Sequence, residues 1–153
     1  MKYKFPNKKN LKDIKRFFLN KKLAILYQNK KKNVIQPNHL DLYNLYNYIV
    51  KNKRTTILEF GSGWSSLIFT LALSANKEKY KSKIKFLRRN NPFELFVLEN
   101  KKKYLNKTKE KINFYKEKIG NSYFKSKINW NYSDVYMDLI NNRFCTKYKK
   151  LPL

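Results

Sequence analysis

The chain has 153 residues, 42% hydrophobic and 16% aromatic, which is enough for one domain with its own core but not for two of ordinary size. Its formal net charge of +26 points at first sight to nucleic acid or an anionic membrane surface. One cysteine, Cys145, and one histidine, His39, exclude an internal disulfide and leave no Cys/His cluster for a metal, so a reducing, cytoplasmic interior is expected.

The first 53 residues read as a helical lead. From Asn10 to about Gln28, Leu11, Ile14, Phe17 and Phe18 recur at helical spacing with lysines between them, and the basic cluster Lys30 to Lys32 breaks the pattern. A second helix is expected near Pro37-Asn38, where Asn38 can cap and Asp41 favours the first turn. It runs through "HLDLYNLYNYIVKN", with Leu42, Leu45, Tyr46 and Ile49 as its core stripe.

The period then changes. "TTILEF" is a β-branched and apolar run that suits a strand buried on both faces, as in parallel sheets. The turn Gly61-Ser62-Gly63 follows, holding two of only three glycines in the chain. "SSLIFTLALSANKEKY" resumes a helical pattern that Ser65 or Ser66 can cap. After a basic loop containing "RRNNP", "FELFVLEN" is a second strand ending in Glu99. "KKKYLNKTKEKINFYKEKIG" is a helix with Leu105, Thr108, Ile112, Tyr115 and Ile119 on one stripe and Gly120 as its C-terminal cap. "KINWNYSDV" is a third strand, and "VYMDLINNRFCTKYKKLP" is a hairpin turning at Asn141-Asn142, a pair that tolerates positive φ. Strand, helix, strand, helix, strand is the signature of a parallel α/β unit with right-handed crossovers.

The apolar stretch from Leu67 to Ala75 is too short to span a bilayer, and the basic N-terminus has no apolar run behind it to form a signal peptide; no membrane partner is expected. Lysine supplies 31 of the 36 basic residues and arginine 5, while asparagine reaches 20. That pattern fits a bias toward A/T-rich codons, and arginine is the residue favoured for bidentate phosphate and base contacts. Nucleic acid is therefore not the favoured partner.

A strand ending in glycine and turning tightly into a helix brings backbone N–H groups close to whatever sits above the strand's carboxyl end. No Gly-Lys-Ser/Thr follows, so the turn is not a P-loop, and Ser66 stands where a dinucleotide motif has its third glycine. Glu59 adds a negative charge unsuited to a pyrophosphate and suited to an ammonium or sulfonium. "ILEFGSGWSS" resembles the first motif of class I S-adenosylmethionine-dependent methyltransferases. The resemblance implies a Rossmann-like three-layer α/β/α fold, here with a partial parallel sheet of about three strands, N-terminal helices and a C-terminal β-hairpin. Residues 54–153 would form the cofactor-binding domain. The cofactor would be S-adenosylmethionine, held by Glu59, Gly61, Ser62, Gly63, Trp64 and Ser65 of the turn, by Glu99 at the ribose hydroxyls and by Asp134 beside the adenine.

Two departures accompany the resemblance. Gly63 and Glu99 are 36 positions apart, whereas about 20 is usual for the acid of a nucleotide-binding βαβ unit, so a longer helix and an inserted loop are expected between them. The family's sheet normally has seven strands. Three here imply a truncated cofactor-binding half, or one that a partner chain completes. No catalytic base is identified and the methyl acceptor is unknown. The alternatives are a noncatalytic cofactor-binding or interaction fragment and a basic RNA-binding protein.

Overall fold

The computed structural model describes residues 11–20, 37–88 and 92–152. Helix α1 spans Leu11–Asn20; the rest of the predicted first helix, and the Lys30 to Lys32 cluster, lie outside the described residues. Helix α2 spans His39–Lys51, capped by the Asn38 side chain, which accepts from the N–H groups of Leu40 and Asp41. Such a cap satisfies donors that the first turn of a helix leaves unpaired.

The body is a mixed α/β unit. Strands β1 (Thr56–Phe60), β2 (Glu94–Glu99) and β3 (Lys127–Tyr132) form one parallel sheet in the order β1-β2-β3. Helix α3 (Trp64–Tyr80) and a 3-10 segment (Lys81–Phe86) connect the first two strands; helix α4 (Lys102–Ile119) connects the next two. The long α3 and its 3-10 extension account for much of the wide spacing between Gly63 and Glu99. Strands β4 (Val135–Ile140) and β5 (Arg143–Tyr148) form a separate antiparallel hairpin. Its turn residues Asn141 and Asn142 have φ of 48° and 59°, as a two-residue hairpin turn requires.

Strand alternation decides what the core contains. Ile57, Leu95, Val97, Ile128 and Trp130 share the face on which Leu67, Ile68 and Leu71 of α3 and Leu105, Ile112 and Tyr115 of α4 pack. All five predicted stripe positions of α4 are buried. On α2, Leu42, Tyr46 and Ile49 are buried, while Leu45 is only partly so. Asn76 ties α3 to the end of α2, its Nδ2 donating to the carbonyls of Ile49 at 3.2 Å and Arg54 at 2.9 Å. That bond reaches a helix-end carbonyl with no partner inside the helix.

The expectation that "TTILEF" is buried on both faces does not hold. Among the described residues β1 is an edge strand, paired only with β2, and on its face away from the helices Leu58 is 43% and Phe60 60% exposed. The run is as apolar as an internal strand of a parallel sheet, yet no strand pairs with its outer edge and no helix covers its outer face among the described residues.

Candidate functional site

The predicted turn joins the carboxyl end of β1 to the amino end of α3. Gly61 adopts φ +90°, a left-handed conformation that a side chain disfavours, and its N–H donates to the Leu98 carbonyl of β2 at 2.7 Å. Gly63 differs. Its backbone is extended, with φ 171°, and a Cβ built there would meet no heavy atom within 4 Å. Neither a left-handed backbone nor a crowded neighbour requires glycine at 63, and the space above it is open.

Two carboxylates clamp the turn from below. Glu59 lies on the helix-facing side of β1 and is 7% exposed. It accepts from the Ser66 hydroxyl at 2.6 Å and from the Ser65 hydroxyl, and Ser66 Oγ in turn accepts from the Gly63 N–H at 3.1 Å. Gly63 is thus the cap residue of α3, and Ser66 completes the cap by accepting from its N–H while both serine hydroxyls donate to Glu59. Burial pushes the Glu59 carboxyl above its ordinary value; the two serine hydrogen bonds oppose that shift and the Glu99 charge adds to it.

Glu99 ends β2, level with Gly61 when the parallel register of Phe60 with Leu98 is continued. It is also buried and accepts from Ser62 Oγ at 2.9 Å and from the N–H groups of Asn100 and Lys101 at 2.9 and 3.0 Å. Thr108 of α4 donates to Ser62 Oγ at 3.3 Å. Glu99 therefore occupies the amino end of α4, where Lys101 provides no side-chain cap, and it links that end to the glycine turn. Among the described residues, the ion pairs involve Glu78, Glu94 and Asp138 rather than Glu59 or Glu99. Two buried carboxylates close enough to interact, with hydroxyl and amide donors but no paired cation, favour a positive charge nearby.

The other predicted residues lie farther from this clamp. Trp64 turns toward α4, its ring 6.2 Å from that of Tyr115 and 3.9 Å from Lys111 Nζ; burial lowers the pKa of this lysine. Asp134 accepts from the Tyr132 hydroxyl and borders a cleft of about 520 Å³ with Asn100, Lys101, Lys102, Lys103, Tyr132 and Lys149. Tyr43 and Tyr46 pack edge-on against Phe17 and do not serve the turn. His39 meets the ring of Phe18, and Cys145 sits on the hairpin opposite Asp138, so neither joins the site.

Sequence reasoning missed two contributors. Thr108 appears in the sequence only as a member of the α4 core stripe, with nothing to mark its bond to Ser62. Tyr148 stands at the base of the hairpin opposite Val135, its ring 5.5 Å from that of Phe60 and within reach of the Glu99 charge and the Gly61 backbone. Nothing local in "CTKYKK" marks that tyrosine, because its position depends on how the hairpin folds back over the sheet. In comparisons with protein-family models, curated proteins and solved structures, the chain matches none.

Proposed function

We propose that the chain binds S-adenosylmethionine at the β1–α3 turn and is the cofactor-binding part of a methyltransferase. The observation that carries this reading is Gly63: a glycine that nothing in the surrounding protein requires, with open space above it and its N–H tied through Ser66 to the buried Glu59. A residue lacking Cβ at such a point permits close approach of a ligand to the backbone. The unpaired acids make a ligand carrying an ammonium and a sulfonium the natural occupant.

The roles divide by position. Gly61 and Gly63 shape the turn against which the methionine part of the cofactor would lie. Glu59 holds Ser65 and Ser66 in place and supplies negative potential from beneath. Glu99, the acid at the second strand end, would be shared between Ser62 and the ribose hydroxyls, and Asp134, which borders the neighbouring cleft, would lie beside the adenine. The cofactor supplies a methyl group activated by its positive sulfur, which an oxygen, nitrogen or carbon nucleophile of the acceptor takes up in line. The chain's contribution to that step is positioning, and no residue of the turn is a candidate base. Titration calorimetry of the folded chain with S-adenosylmethionine tests the reading: saturable one-site binding is expected, and no heat of binding from a folded sample contradicts it.

One observation favours RNA as a second ligand. The cleft beside Asp134 carries four lysines, Lys101, Lys102, Lys103 and Lys149, and lysines at a groove neutralise phosphates. RNA binding there predicts selectivity for RNA over other polyanions near physiological salt; equal affinity for heparin or for DNA contradicts it.

A further inference from the structure

We propose that Tyr148 is a further ligand-binding residue of the same site, presenting its ring to the cationic centre of the cofactor so that the charged sulfonium form is held in preference to the neutral thioether left after methyl transfer. This proposal rests on the cofactor reading given above.

The placement follows from the hairpin's anchorage. Ser133 donates its N–H to the Glu99 carbonyl at 3.1 Å, and Lys149 donates to the Asp134 carbonyl at 2.9 Å. Lys150 donates to Ser133 Oγ at 2.9 Å. These bonds fix both ends of the hairpin at the carboxyl edge of the parallel sheet, where the glycine turn lies. Tyr148 is the last residue of β5, so the anchorage holds it beside the strand ends. Its ring stacks at a tilt of 35° on Phe60, the residue that ends β1 and precedes Gly61.

Phe60 is 60% exposed, so the aromatic pair forms an accessible wall beside the turn. The hydroxyl of Tyr148 is pushed up by burial and by the Glu99 charge, and the Gly61 backbone opposes that shift. Phe60 lies on the sheet face opposite Glu59 and Glu99, so what the pair offers at the strand ends is the negative face of its rings, which receives onium groups. Positive side chains border the same region: Lys101, Lys102 and Lys149 line the neighbouring cleft. Lys102 is already engaged over the ring of Tyr132, its Nζ 5.0 Å from the centroid, and Lys147 is paired with Asp138.

In methyl transfer the sulfur–carbon bond breaks, the sulfur keeps the electron pair and loses its charge, and the methyl carbon bonds to the acceptor nucleophile. A wall that favours the cation therefore weakens its hold on the product. The test is calorimetry of the full chain with S-adenosylmethionine and with S-adenosylhomocysteine, on wild type, Tyr148→Phe and Tyr148→Leu. Leucine keeps apolar volume without a π face, and far-UV circular dichroism checks that each variant is folded.

Wild type and Tyr148→Phe are expected to favour the sulfonium ligand by roughly tenfold, and Tyr148→Leu to bind the two ligands alike. A folded Tyr148→Leu that keeps the wild-type preference overturns the proposal, as does a wild type without one; in either case the cofactor reading still stands. A wild type that binds neither ligand overturns both.

Discussion

Ser66 Oγ donates to the Glu59 carboxylate at 2.6 Å while accepting from the Gly63 N–H at 3.1 Å, so one hydroxyl joins the buried acid of β1 to the backbone of the glycine turn. That relation separates two roles for Glu59. A purely structural carboxylate would serve the fold alone; one placed for a cationic ligand would burden the free protein and strengthen its complex.

Glu59→Gln distinguishes them. The amide keeps the shape and can still meet both serines, and it removes a charge that burial disfavours. Unfolding free energy is expected to stay within about 1 kcal/mol of wild type or to rise. Affinity for S-adenosylmethionine is expected to fall roughly tenfold or more, as for loss of a hydrogen bond or contact to a charged group. Urea melts and calorimetry on the same sample check both; a large loss of stability with unchanged affinity would assign Glu59 to the fold.

The pH dependence has a definite sign. A carboxyl whose folded pKa is raised binds more protons in the native than in the unfolded state. Its stabilising contribution is fully present below the ordinary carboxyl value and is lost as pH rises through the raised Glu59 value. A cationic ligand favours the ionised form, so binding releases a proton in that window. Affinity for S-adenosylmethionine is accordingly expected to increase as pH rises through it, and calorimetry in buffers of different ionisation enthalpy should detect the released proton. Affinity that is flat across the window counts against a charge contact with Glu59.

Gly61→Ala concerns the backbone. At φ +90° an alanine is strained by about 1–2 kcal/mol, although no atom crowds its Cβ. Denaturant melts should show that loss. An unchanged midpoint would mean that the turn relaxes without cost.

Leu58→Lys concerns the open edge of β1. Leu58 is 43% exposed on the face away from the helices, so replacing it should cost at most about 1 kcal/mol. Lysine on an edge strand opposes pairing with other chains. Sedimentation velocity should show less concentration-dependent association than wild type, whereas an unchanged distribution would mean that the edge does not mediate association.

Much of this was legible in the sequence, for physical reasons that differ by element. The α4 stripe from Leu105 to Ile119 was legible because its apolar spacing matches the helix period over about four turns. The hairpin was legible because Asn141-Asn142 tolerates a conformation that few residue pairs adopt. The glycine turn was visible because the chain has so few glycines. The edge position of β1 was not legible, since "TILEF" has the same composition whether or not a neighbour covers it. Nor was the inward turn of Ser65 and Ser66 to Glu59. Ser66 does serve the helix end by accepting from the Gly63 N–H, and both hydroxyls also donate to a buried acid that no local pattern marks. Tyr148 joins the turn only through the bonds of Lys149 and Lys150 to Asp134 and Ser133, which no local pattern announces.

Gly63→Ala tests the central claim most directly. The added methyl meets no protein atom within 4 Å and the extended backbone accepts alanine, so circular dichroism and the urea midpoint should match wild type. Calorimetry with S-adenosylmethionine is expected to show one-site binding by wild type and a loss of at least about tenfold in the variant, because the methyl occupies space a closely approaching ligand needs. Equal affinity in the folded variant, or no binding by wild type, would contradict the assignment of this turn as the cofactor site.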